Sequence, residues 1–237
     1  MMQWVKMMKN SNDAVDYFQL KNPLTRFKSK ISHRARVKMF NRFMALANPK
    51  PTDLILDVGV TPDCSLPESN FFEKMYPYPA NITMSSIEDA SMLTDVFPGT
   101  SFVRTTPGEA FPFRDKQFDI LFCSAVLEHV GTLEGQRFFL AECLRVAKSV
   151  YLTTPNRGFP VEFHTYLPLV HWLPQAMHQK ILRLVGMDFW AKTENLNLLT
   201  KRSLMAIIPE DLRSKAIITN NRLLGLVSNL VLYISGD

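Results

Sequence analysis

Cysteine is scarce in this chain, and what there is does not pair. Cys64, Cys123 and Cys143 form an odd set without metal-type spacing, which argues against a disulfide framework and fits a reduced, cytoplasmic protein. Long apolar runs are also missing. The longest, Leu223 to Ile234, contains Ser228 and Asn229 and is too short to span a bilayer. Charge interrupts residues 1–50 throughout, so no secretory leader is read there, and a soluble protein is expected. The signatures of several enzyme classes are absent: no G-x-S-x-G elbow, no H-E-x-x-H, no P-loop. His164 and His171 stand seven apart without a third ligand at matching spacing, so no metal site is expected. Glycine is missing where it would be most telling. The stretch ILDVGVTPDCS, residues 55–65, reads as a buried strand entering a nucleotide-binding loop, yet its only glycine is Gly59.

What the chain does have is apolar residues, 46% of its 237, enough for a substantial core in one large α/β domain or two small ones. A first helix is expected after Ser32, with Val37, Phe40 and Met44 on one face and Arg34, Lys38 and Arg42 pointing outward; Asn48-Pro49 and Pro51 end it. Short apolar runs follow at 53–59, 81–86, 101–105, 118–125 and 149–154, and each reads as a strand. Between them lie helical stretches: one near Phe71 to Met75 opened by Asn70 and Glu73 as a capping pair, one over 88–97, and one capped by Thr132 with Phe139, Cys143 and Val146 on a stripe. This alternation predicts a parallel sheet with helices on both faces. Residues 215–235 read as two strands about a turn near Leu224 to Val227, an antiparallel hairpin at the sheet's end.

The net charge of +5 is unevenly spread. Residues 1–50 hold eleven Lys or Arg against two Asp, while the remainder holds sixteen basic and twenty acidic side chains. The basic leader is either a solvated face or a contact for an anionic membrane or nucleic acid.

In such sheets ligands bind beyond the carboxyl ends of the strands. Asp57 ends a buried strand, where a carboxylate needs a partner: a ligand ammonium, or a neighbouring loop. Gly59 either lets a ligand approach the backbone or serves an ordinary turn. His129, just past the fourth strand, is the best candidate base; otherwise it caps a helix or bonds Glu128, which has the same two readings. The stretch TTPNRGFPVEFHTYLPLVHWLP, 153–174, sets Asn156, Arg157, Glu162, His164, Tyr166, His171 and Trp172 among prolines and apolar residues. It suits an acceptor pocket, a packed lid, or a lipid-facing surface through Tyr166, Leu167, Leu169, Trp172 and Leu173. Arg157 is suited to a carboxylate or phosphate.

The layout resembles the class I S-adenosylmethionine-dependent methyltransferases, in their type 11-like branch, over residues 33–235. ILDVG looks like the family's first motif. TPGEAFPFRDKQFDILFCSAVLEHV looks like the passage from the third strand through the fourth, with Phe111-Pro112-Phe113, Phe118-Asp119 and Glu128-His129 at its marked positions. FFLAECLRVAKSVYLTTPN matches the next helix and fifth strand, and SNLVLYISG the last strand. The resemblance implies S-adenosyl-L-methionine as cofactor, held at Asp57, Gly59, Val60, Thr61, Ser86, Ile87, Glu88, Thr106, Ser124 and Ala125, with His129 as base and Glu128, Asn156, Arg157, His164 and Tyr166 toward the acceptor. This chain departs from the pattern at Thr61 and Asp63, where the family has glycines. It departs again at Ser86, where an acidic residue usually takes the ribose hydroxyls and Glu88 is the nearby substitute. A third departure comes after the third strand, where Thr106, Ile87 and Phe111 would hold adenine.

The fold expected is thus a Rossmann-like, mostly parallel seven-stranded sheet with helices on both faces and a C-terminal antiparallel hairpin, in residues 32–237, preceded by a basic extension, 1–31. The function expected is methyl transfer to a small-molecule or lipid- or glycan-linked acceptor, first at oxygen, with peripheral membrane contact through the basic N-terminus and residues 160–174. The alternative from another class is a catalytically silent module that binds a partner protein or a membrane surface. Nucleic acid ranks last as a partner: no aromatic-basic recognition platform and no Asn-Pro-Pro-Tyr-type motif is present.

Overall fold

The computed structural model describes residues 23–236, with side chains from residue 29. The chain forms a seven-stranded sheet in the order β3-β2-β1-β4-β5-β7-β6. The strands are β1 (Ile55–Val58), β2 (Ile82–Ser86), β3 (Ser101–Arg104), β4 (Phe118–Ser124), β5 (Ala147–Pro155), β6 (Ala216–Leu223) and β7 (Leu226–Ile234). The first five are parallel, and β7 runs antiparallel between β5 and β6. The β6–β7 turn is Leu224-Gly225, at φ 51° and 83°. Two left-handed residues in sequence match the twist of an antiparallel hairpin.

The strands are buried on both faces because their side chains alternate between two cores. Leu56, Leu121, Cys123, Val150 and Leu152 enter one, beneath the helix Leu133–Val146 (α4) and the helix Lys201–Ile207 (α6). Ile55, Ile120, Phe122, Tyr151, Val231 and Tyr233 enter the other, beneath the helix Pro23–Ala47 (α1) and the short helix Phe71–Met75 (α2). Phe43 of α1 is fully buried there and meets Phe72, Phe122 and Tyr151 edge-on, each at 5.3 Å between centroids. The Tyr151 hydroxyl donates to the Met39 carbonyl at 2.7 Å, which fastens α1 to the centre of the sheet.

Several local expectations need correction. The first helix begins at Pro23, so the boundary drawn at 31/32 falls inside it; residues 1–22 of the basic leader lie outside the described residues. Arg42 does not point to solvent but donates to Thr219 Oγ1 and the Asn220 carbonyl, clamping α1 to the edge strand β6. The helix expected over 88–97 shrinks to Leu93–Val96 (α3). Thr132 does cap α4, accepting from the Gly135 amide. Asn70 does not cap α2 with its side chain. It sits at φ 45°, bonds both the amide and the carbonyl of Thr61, and donates to the Asp63 carbonyl. Asparagine tolerates the left-handed region better than most residues, so it supplies the sharp bend that the missing glycines would have made. Glu73, freed from a capping role, turns inward.

A long insert joins β5 to β6. It carries the helix Gln175–Leu184 (α5), then α6. Its first part folds back over the carboxyl ends of β4 and β5.

Candidate functional site

β1 pairs in parallel with β2 on one side and β4 on the other. The strand order therefore reverses at β1, and a sheet of this kind is expected to hold its ligand crevice beyond that strand's carboxyl end. The first-loop residues border it on one side and residues 124–129 on the other.

Asp57 is buried on the α2 face and pairs with Glu73. Burial, then the charge of Glu73, raises the Asp57 carboxyl well above its ordinary range. Burial also raises Glu73, whose two oxygens are buried without a hydrogen-bond partner. Two facing buried acids suit an ammonium. Nearby, Ser85 Oγ is buried without a partner. Gly59 stands at φ 103°, and a Cβ there would overlap Cγ2 of Val126. Its amide and that of Val60 both donate to the Ser85 carbonyl, at 2.8 and 3.3 Å. The Thr61 amide is taken by Asn70. The amides of Gly59, Val60 and Thr61 are thus all bonded within the protein.

At the end of β2, Ser86 is buried and its Oγ accepts from the Glu88 amide. The Glu88 carboxyl is half-buried, and burial raises it. Ile87 is exposed, and its carbonyl accepts from Arg104. Thr106 is exposed beyond β3. These side chains rim one end of the crevice.

The end of β4 is more tightly built. Ser124 Oγ bonds Thr153 Oγ1 at 2.9 Å. Ala125 adopts φ 59°, a left-handed conformation unusual for alanine, and turns the chain into the short helical turn Leu127–His129. Glu128 is fully buried; its Oε2 accepts from Thr154 Oγ1 at 2.9 Å. His129 is bonded through Nδ1 to the Asn195 carbonyl at 2.7 Å. Its Nε2 lies 3.1 Å from Nε2 of His164 and 3.8 Å from Glu128 Oε1. Trp190 packs over both rings, at centroid distances of 6.0 and 4.8 Å. His164 is fixed in turn by Glu162, whose Oε1 accepts from its Nδ1 at 2.6 Å.

The remaining acceptor-side residues divide. Asn156 is engaged by the Val227 carbonyl and the Gly158 amide, and Arg157 donates to the carbonyls of His171 and Leu173. Arg157 therefore ties the insert together and does not present its guanidinium to an anion. Tyr166 is exposed at the tip of the loop, at φ 56°. His171 bonds the Phe159 carbonyl and takes no part in the His129–His164 pair.

Five further residues of the site carried no signal in the sequence: Glu73, Val126, Trp190, Asn195 and Arg36. Arg36 stacks 5.2 Å over the Phe71 ring. Burial pulls its pKa down, and the carboxylates of Glu68 and Glu128 oppose that, which places the guanidinium near the end of β4. It lies in α1 between Arg34 and Lys38, which are expected from the sequence to point outward.

A parallel β1–β5 sheet with an appended antiparallel hairpin and a crevice at β1/β4 is the class I methyltransferase fold. Three solved structures of low identity share it. Magnesium protoporphyrin IX methyltransferase (ChlM) from Synechocystis PCC 6803, solved with bound SAH, matches with TM-score 0.56 at 11% identity, over 97% of this chain and 99% of that one. The N-terminal domain of EvdMO1, solved in the presence of SAH and D-fucose, matches with TM-score 0.51 at 15% identity, over 84% and 83%. The CurJ carbon methyltransferase matches with TM-score 0.52 at 9% identity, over 81% of this chain and 50% of that one. Residues 74–150 match the family described as "Methyltransferase domain". Fold and domain match agree: the chain has the class I methyltransferase fold, and its matched segment is similar to a methyltransferase domain. By sequence alone, no curated protein matches it.

Proposed function

We propose that the protein transfers the methyl group of S-adenosyl-L-methionine to a hydroxyl oxygen of a small-molecule or lipid- or glycan-linked acceptor. One observation carries the choice of oxygen. His129 Nδ1 is bonded to a carbonyl, so its hydrogen resides there and Nε2 keeps a lone pair toward the crevice. An alcohol must lose a proton as it is methylated, and a fixed imidazole lone pair at that place receives it.

The residues at the strand ends fit the cofactor. The Asp57–Glu73 acid pair takes the ammonium of its methionine end, Glu88 the ribose hydroxyls, and Ile87 and Thr106 border the adenine. When bound, it supplies an activated methyl on a positive sulfur with a neutral leaving group. The protein then has to bring the acceptor into line, exclude water and remove one proton. Trp190 covers the histidines and keeps water from the acceptor side. Tyr166, Leu169 and Trp172 of the same insert are about half exposed, at 53%, 48% and 50%. Exposed apolar groups on this insert suit a lipid-linked acceptor and peripheral contact with a membrane surface, to which the basic N-terminal residues would add. No helix among the described residues is long and apolar enough to cross a membrane.

A second reading is a module that no longer binds cofactor. The self-bonded loop amides and the Val126 methyl over Gly59 favour it. Calorimetric titration with S-adenosylmethionine and its demethylated product separates the two. Micromolar binding that Asp57→Ala abolishes supports the transferase. No heat from folded protein, with Asp57→Ala indistinguishable, supports the silent module.

A further inference from the structure

The two histidines at the end of β4 face each other in an arrangement that two neutral imidazoles cannot hold by themselves. His129 Nδ1 lies 2.7 Å from the Asn195 carbonyl, which can only accept, so Nδ1 carries the hydrogen. His164 Nδ1 lies 2.6 Å from Glu162 Oε1, a carboxylate that also accepts from the amides of His164 and Thr165. Its hydrogen therefore also sits on Nδ1. Both Nε2 atoms are left with lone pairs, and they stand 3.1 Å apart. Beside them, Glu128 Oε1 is wholly buried and has no hydrogen-bond partner, 3.8 Å from His129 Nε2.

We propose that Glu128, His129 and His164 bind a divalent transition-metal cation of zinc type, through Oε1 and the two Nε2 atoms, with a coordination position left open toward the crevice. The three ligand atoms lie within 4.8 Å of one another. Bonds of about 2.0–2.1 Å at a tetrahedral angle set two ligand nitrogens roughly 3.3 Å apart, close to the spacing found. The surroundings are those of a built site. Each histidine is oriented through Nδ1 by a carbonyl or carboxylate, and Glu128 through Oε2 by Thr154. Imidazole with carboxylate suits zinc and its neighbours better than magnesium or calcium, which prefer all-oxygen shells. Arg36 near Glu128 offsets part of the carboxylate's charge but, as a donor, cannot serve the two imidazole lone pairs.

The site deepens the methyl-transfer reading and rests on it for its role: with the ion bound, His129 Nε2 is a ligand, and the ion takes over from the imidazole in activating the acceptor oxygen. An acceptor hydroxyl at the open position would give up its proton to solvent. Its oxygen then forms the O–CH3 bond as the S–CH3 bond breaks and the thioether leaves. The acceptors selected would be alcohols or phenols able to bind the ion through that oxygen, in preference to amines or carbon centres.

The test is titration of chelator-treated full-length protein with zinc by calorimetry and with cobalt by visible absorption. One equivalent should bind, and cobalt should give the strong bands of a four- or five-coordinate site. His129→Ala and His164→Ala should each weaken binding by well over tenfold. Glu162→Gln, which alters the partner of His164 Nδ1 and leaves the three ligands in place, should weaken it by about 10–100-fold. Circular dichroism of each variant establishes that it is folded. Absence of stoichiometric binding, or binding that persists in the double histidine variant, overturns the proposal; in the first case a proton shared between the rings explains the contact. Cofactor titration is read separately. Metal binding without cofactor binding sinks the transferase reading and spares the site; cofactor binding without metal does the reverse.

Discussion

Gly59→Ala measures what the single glycine of the first loop does. Two independent costs follow from the structure. At φ 103° an alanine is held outside the regions open to L-residues, at about 1–3 kcal/mol. Its Cβ would also overlap Cγ2 of Val126, which must move or be compressed, at about 1–3 kcal/mol more. The sum is roughly 2–6 kcal/mol, which for a domain of this size corresponds to a fall in Tm of about 4–24 °C. Val126→Ala removes the overlap and leaves the backbone strain. Urea unfolding of the wild type, both single variants and the double variant should therefore show a favourable coupling of about 1–3 kcal/mol with m unchanged. A Gly59→Ala shift below about 2 °C, or additivity within about 0.5 kcal/mol, would refute the claim that this glycine is fixed by close approach of Val126.

Phe43→Ala empties the aromatic cluster between α1 and the sheet, and a loss of about 3–5 kcal/mol is expected in the same urea experiment. Glu142 is held below its ordinary range, chiefly by hydrogen bonds from Arg145 and also by the Phe111 amide. A depressed folded-state pKa contributes stability above the unfolded value near 4.5 and loses it as pH falls through the folded value. Glu142→Gln should therefore lower Tm at pH 7 and reduce the acid-side slope, a result that a Tm–pH profile reads directly. The sign is opposite for Glu73, whose folded-state pKa is raised. The folded state then binds the proton more tightly, and stability declines as pH rises past the unfolded value. Glu73→Gln should raise Tm at pH 7 in the ligand-free protein while weakening S-adenosylmethionine in calorimetry; a lowered Tm with unchanged affinity would count against the shared acid pair.

Most of the architecture is legible in the chain because each strand is short, apolar and bounded. Ile55–Val58, Ile82–Ser86 and Phe118–Ser124 are mostly buried on both faces and read as short strands. Thr132 is a local cap and is recognisable as such. The short α3 and the start of α1 at Pro23 escape such reading, since propensity alone does not fix helix ends. Asn70 and Glu73 mislead for a related reason. Their spacing imitates a capping pair, but the loop's need for a left-handed residue and the pull of Asp57 win over the cap. Arg157 misleads likewise: a guanidinium beside a presumed pocket is satisfied by two backbone carbonyls of its own insert.

The sequence by itself determined the order of the strands' segments and the two-sided burial of the central strands, because these follow from local periodicity and from the handedness of parallel crossovers. It also put Asp57, Gly59, Glu128 and His129 at strand ends. Only the tertiary structure decided which of these side chains meet. His129 and His164 are thirty-five residues apart in the chain and 3.1 Å apart in space. Each ring is turned there by a distant acceptor, the Asn195 carbonyl and the Glu162 carboxylate. Ring orientation of this kind is set by packing between segments remote in sequence, and no spacing rule along one of them contains it.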